Sequence, residues 1–235
     1  MKYPSRQIKK IEAKENIGSY GAWRKEFCRK YLGLLIRIRN NTYNSLIETI
    51  SPKGEMITCR KGCNYCCFEH LTVSVAHGIV IVDYLYNRKE LLKQFVHNYE
   101  KWRRKGYNIS NSIDRIQIQA SSSSMPIDRV MAAIGPLSAR YVDMNIQCPF
   151  LVDNRCFIYD VRPFPCSGHY SVSPPDWCDP ITPQKPIIHQ LIPNEEDLSK
   201  IVLLAGPQLI LYELTLPIMI YKLLTEGSSS IITSN

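Results

Sequence analysis

The sequence predicts a mainly α fold, with helices packed around two irregular cysteine-rich metal-binding loops. Three observations carry that reading. Apolar residues recur at helical spacing over long stretches, cysteines gather in two segments that have no period, and strand-like segments are too few for a sheet-based fold. With 235 residues and 45% hydrophobic content, the chain can bury a core as one domain, 1–235. That content excludes a disulfide-stapled miniprotein and a disordered tail.

The N-terminal region, 1–54, reads as basic and helical. Trp23, Phe27, Tyr31, Leu34 and Ile38 recur at steps of three or four within 19–50, and most of the arginines and lysines fall elsewhere. Cys28 reads as a packing thiol, and 51–54 ends the helix. Residues 55–71 read as a loop. A second helix is expected from Thr72 or Ser74 through Ile79, Leu85, Phe95 and Trp102, stopping near Gly106. A short helix over 111–120, a serine connector over 121–124 and a helix opening at Pro126 follow, the last kinked at Gly135 and Pro136. Residues 148–193 hold more than half of the fifteen prolines and no period. So long an irregular course needs something to tie it down. Asn194, followed by Glu195, Glu196 and Asp197, predicts a capped helix start, and helices fill 194–227. Within them, 201–224 is the most apolar stretch. Pro207, Glu213, Pro217 and Lys222 interrupt it, so it reads as a kinked core helix and not as a membrane span. Residues 228–235 read as a frayed tail.

The net charge of +8 is unevenly spread. Residues 1–50 hold eleven basic and four acidic groups, and 86–105 hold seven and two. Two basic elements suit an acidic protein partner or substrate, and no aromatic–glycine signature argues for nucleic acid. Lys2, Arg6, Lys9 and Lys10 lead into further charges, not the apolar stretch of a secretory signal. The expectation is a cytoplasmic protein with no membrane association. Thiols stay reduced there, so nine cysteines point to metal before disulfides.

Cys59, Cys63, Cys66 and Cys67 form a C-x3-C-x2-C-C run, compact enough to wrap one ion or cluster, with Gly62 supplying backbone freedom. Adjacent side chains tend to point apart, so Cys66 and Cys67 need not serve one atom. Cys148, Cys156, Cys166 and Cys178 form the second group. The 55–178 segment is therefore the expected metal-binding core. Pro149, Pro163 and Pro165 stiffen the second group, while Tyr159 and Phe150 can roof a site. Arg162 can donate hydrogen bonds to an anionic thiolate centre or pair with Asp153 or Asp160. His70 and His169 lie near the cysteines, but a loop histidine is more often no ligand. His77, His97 and His189 have nothing to recommend them.

The run Cys59-Arg-Lys-Gly-Cys63-Asn-Tyr-Cys66-Cys67, then Cys148-Pro-Phe-Leu, Cys156-Phe-Ile-Tyr159 and Arg162-Pro-Phe-Pro-Cys166, resembles the YkgJ-type cysteine-cluster family. The resemblance covers about residues 55–170 and implies a zinc- or iron-chelating domain. One departure is Ser167, where the family commonly has arginine. By analogy with a flagellin lysine methylase that resembles the family, it implies an iron–sulfur cluster of the 4Fe-4S kind and a redox or modification role such as methyl transfer. Zinc in a non-catalytic interaction module is the alternative, since thiolates suit both. C-x3-C-x2-C also matches the cluster loop of radical S-adenosylmethionine enzymes. Residues 72–141 lack the strands of their barrel, which argues against that reading.

Overall fold

Helix α1 (Gly18–Ile50) buries Phe27, Tyr31, Leu35, Ile38, Leu46 and Ile50 along one face. The apolar spacing of three and four residues creates that face, with Leu35 in place of the expected Leu34 at its centre. Gly54, left-handed at φ +73°, closes the 3₁₀ turn Ser51–Lys53 that ends it. The structure, a computed structural model, describes residues 18–227 apart from Ser124 and Pro180. The tail reading for 228–235 lies outside them.

Helix α2 (Val75–Tyr86) is the centre of the core, with ten of its residues buried. The Ser74 side chain caps it by accepting the His77 N–H at 3.4 Å. Among the described residues the fold is helical in the main, with eight α-helices and six short strands. Three expectations need correction. The second helix does not run to Gly106: α2 ends at Tyr86, Asn87 bonds back to Asp83, and α3 (Lys89–Ser123) begins two residues later. Gly106 does not end α3, because it is a packing slot. A Cβ there would lie 2.8 Å from the Trp102 indole, which folds over the glycine and donates to the Tyr141 hydroxyl of α4 (Ile127–Asp143) at 2.8 Å. Neither is 111–120 a separate short helix nor 121–123 a connector, since both belong to α3. Ser121, Ser122 and Ser123 lie within α3, their hydroxyls donating back to the carbonyls of Gln117, Ile118 and Gln119.

The first strand, β1 (Thr72–Ser74), runs antiparallel to β6 (Glu213–Thr215), with Thr72 opposite Thr215. β2 (Leu151–Val152) pairs with β3 (Arg155–Cys156), and β4 (His169–Ser171) pairs with β5 (Ile188–Gln190). Between β2 and β3, Asp153 and Asn154 adopt positive φ and turn the chain. The one-turn helix α5 (Phe164–Ser167) follows β3.

The expected helix over 201–224 is three pieces. Helix α6 (Glu195–Ala205) opens on the predicted cap, where Asn194 accepts the Asp197 N–H at 2.8 Å. Gly206, at φ +82°, breaks it before α7 (Pro207–Leu211), and β6 intervenes before α8 (Leu216–Thr225). Among the described residues no helix is long and apolar enough to cross a membrane.

Candidate metal centre

Short-range geometry brings the two cysteine segments together. The Cys148 N–H donates to the Cys67 carbonyl at 2.8 Å, and the Thr58 N–H donates to the Ser171 carbonyl at 2.9 Å. Asn64 adds a side-chain bond to Asn154 at 2.8 Å, spanning the same loops. A cavity of about 60 Å³ opens between them. Cys63, Cys66, Cys67, Cys148, Cys156 and Cys166 line it, with Tyr159, Arg162 and Phe150 among its other walls. Six of the eight thiols expected to bind metal therefore face one space.

Cys59 and Cys178 stand outside that wall, joined through Ser171. The Ser171 N–H donates to Cys59 Sγ at 3.1 Å, and its side chain bonds Cys178. Both sulfurs still feel the charge of Cys63 and Cys66. Cys28 is elsewhere, buried in the α1–α2 interface with its thiol on the Ile79 carbonyl at 3.7 Å. Burial pushes it up to about 12, which suits an inert packing thiol.

Burial also raises the cavity thiols: Cys148 to about 12, Cys166 well above its ordinary value, and Cys156 in the same direction. Backbone N–H groups work the other way. Phe150 donates to Cys148, Ile158 to Cys156 and Ser171 to Cys59, each favouring a thiolate. A hydrogen bond from the Cys67 thiol draws Cys66 down, while the same bond raises Cys67. Crowded sulfurs already served by amide donors suit a bound cation, whose charge offsets both their mutual repulsion and their desolvation.

Arg162 supplies a fixed positive charge on the cavity wall. It favours the ionised forms of Cys66, Cys156 and Cys166, and its guanidinium lies 4.0 Å from the Tyr159 ring centre. Its Nε is buried with no protein partner, an orphaned donor on a wall of sulfur acceptors. Lys61 lies over Tyr159 as well, at 5.2 Å. Neither suggested carboxylate partner, Asp153 or Asp160, forms a salt bridge to Arg162 among the described residues.

The histidines fall as their settings dictate. His169 bonds Gln190 at 3.1 Å, His77 bonds the Val161 carbonyl at 3.0 Å, and His70 bonds Thr215 at 2.8 Å. Three polar wall residues escaped sequence reasoning: Glu69, Tyr141 and Thr215. Glu69 follows Cys66 by three residues, a usable clue. Tyr141 and Thr215 arrive from α4 and β6, and nothing local marks them. As they stand, no three His, Cys, Asp or Glu side chains among the described residues are drawn tightly enough together to hold one ion. The space is about four times what one water needs. No family model, curated protein or solved structure matches the chain.

Proposed function

We propose that this protein carries an iron–sulfur cluster of the 4Fe-4S type at the thiol cavity and belongs with the YkgJ-type cysteine-cluster proteins. The convergence of six thiols, from loops some ninety residues apart, on one cavity is the observation that supports it. The cluster would take its thiolates from among Cys63, Cys66, Cys67, Cys148, Cys156 and Cys166. Arg162 would offset their charge, and Tyr159 and Phe150 would limit water. When bound, such a cluster supplies one-electron chemistry, in a redox role or in modification of a protein or small molecule, methyl transfer included. A reducing, cytoplasmic setting is consistent with nine unpaired cysteines.

An acidic partner or substrate is part of this reading. Lys101, Lys105 and Cys148 are among the residues that line a cleft of about 610 Å³. An acidic segment held there would meet the cysteine loop directly.

A zinc-stabilised interaction module is the second reading. The observation favouring it is the Cys59–Ser171–Cys178 arrangement, which ties two loops together beside the cavity as a closed structural thiolate site would. Purification without oxygen separates the two. Brown protein containing iron and acid-labile sulfide is expected, colourless protein containing zinc would establish the second reading, and folded protein with no transition metal would overturn both.

A further inference from the structure

One face of α3 is built unlike the rest of the core. Ser110, Asp114 and Gln117 follow one another at steps of four and three, and each keeps a buried side-chain oxygen with no protein partner: Ser110 Oγ, Asp114 Oδ2 and Gln117 Oε1. An uncompensated buried oxygen is costly, so three on one helical stripe mark a line that ordered water or a transferable proton can serve. Gln117 lines the groove between α3, α4 and α7, a cavity of about 860 Å³. At Asp114 the stripe meets other elements. Its Oδ1 accepts both the Thr215 N–H at 2.8 Å and the Thr215 hydroxyl at 2.7 Å. Thr215 Oγ1 in turn lies 2.8 Å from His70 Nε2, and Thr215 is part of the thiol cavity wall.

The protonation pattern has a definite direction. With its hydroxyl hydrogen on Asp114, Thr215 accepts from His70, so the neutral imidazole carries its hydrogen on Nε2. Two donors in series, His70 and then Thr215, are thus aligned towards the Asp114 carboxyl, each polarising the next. Burial holds His70 neutral, its pKa drawn down to about 4, and raises Asp114 to about 6. The groups facing Asp114 are Thr215 and Tyr212 beside it and Lys222 on α8, with His70 beyond Thr215.

We propose that Asp114, Thr215 and His70 form a buried proton relay that meets the wall of the thiol cavity at Thr215, with Asp114 holding the proton and the Gln117 groove leading to solvent. The relay rests on the reading of the cavity as an electron-accepting centre. A one-electron reductant adds one electron at the cavity, and one proton from solvent passes to Asp114 Oδ2, turning carboxylate into carboxylic acid. The added negative charge is balanced by that proton, and the only bond formed is the O–H.

Infrared titration of the purified protein tests the relay whether or not the cavity is redox-active. Expected is a protonated carboxyl band that vanishes in Asp114→Asn, shifts in frequency in Thr215→Val and in His70→Gln, and returns in Thr215→Ser. If Asp114→Asn removes no such band, or if neither Thr215→Val nor His70→Gln moves it, the relay is overturned. The iron-loaded protein then gives a separate reading. Its midpoint potential should fall with rising pH around pH 6 in the wild type and stay flat in Asp114→Asn. An identical slope in both would remove Asp114 from the electron step. Protein without a redox centre would sink the cluster reading, and the infrared bands would still decide whether the three groups are coupled.

Discussion

At Asp114, a carboxyl that cannot be read as structural from sequence decides how a core strand is held. It satisfies the Thr215 backbone and hydroxyl together, yet burial raises it from 3.8 to about 6. Its folded value therefore lies above its unfolded one. The stability it contributes is complete below about pH 4 and is lost as pH rises through 6, on the order of 2–3 kcal/mol in all. His70 and His77 act oppositely. Burial draws both down to about 4, so their contribution is present above pH 6.5 and lost as pH falls. The wild-type curve mixes these signs, but the difference from Asp114→Asn isolates one of them. In urea melts from pH 4 to 7, the wild type should lose stability relative to Asp114→Asn as pH rises, and parallel curves would show that Asp114 does not titrate in this range. Nothing in the spacing around Asp114 announces this, because its partner lies 101 positions away. The grouping of the cysteines was legible in their spacing, and six of the eight line one cavity, while Cys59 and Cys178 stand outside its wall.

Elements were legible where a local signal sets them and obscured where packing does. The Asn194 cap and the Gly54 stop follow from single residues whose side chain or backbone can do only a few things. Gly106 misleads because its sequence signal, a helix breaker, is overridden by the Trp102 ring seated on it. The break at Asn87 has no glycine or proline to mark it, and apolar spacing continues on both sides. Gly78 shows the same logic at the contact between α2 and α8. A Cβ there would stand 2.6 Å from Leu223 Cδ1 and 2.9 Å from Met219 Cγ, both in side chains packed in the core. Gly78→Ala would gain helix propensity, worth about 1 kcal/mol, but must push two buried side chains off their positions, costing about 1–3 kcal/mol. The packing cost should win. Thermal melts should show a lower Tm for Gly78→Ala, and a higher one would mean that α8 shifts freely on α2.

On the scale of the whole molecule, the thiol cavity is where the sequence-distant parts of the chain are joined. The loop before β1, the turns around β2 and β3, helix α5 and the start of α8 all contribute to its wall. The second cysteine segment, 148–178, has one short pairing of its own, β2 with β3, while β4 pairs with β5 beyond its end. It is tied to the first loop through Cys67, Thr58 and Asn64, and to the helical core through Phe150, Pro149 and Val161. If the thiols share one centre, ligand loss on one loop must be felt on the other, because metal binding then contributes to the folding of both. Cys63 lies on the cavity wall together with Cys156, 93 positions further along. Removing its sulfur should therefore loosen the β2–β3 turn without a direct contact being cut. Cys63→Ala is expected to speed amide exchange around Cys156 as well as around 59–68, and to lower metal content by more than half. Fast exchange confined to 59–68, with half of the metal retained, would instead show two autonomous sites, each ordering its own loop.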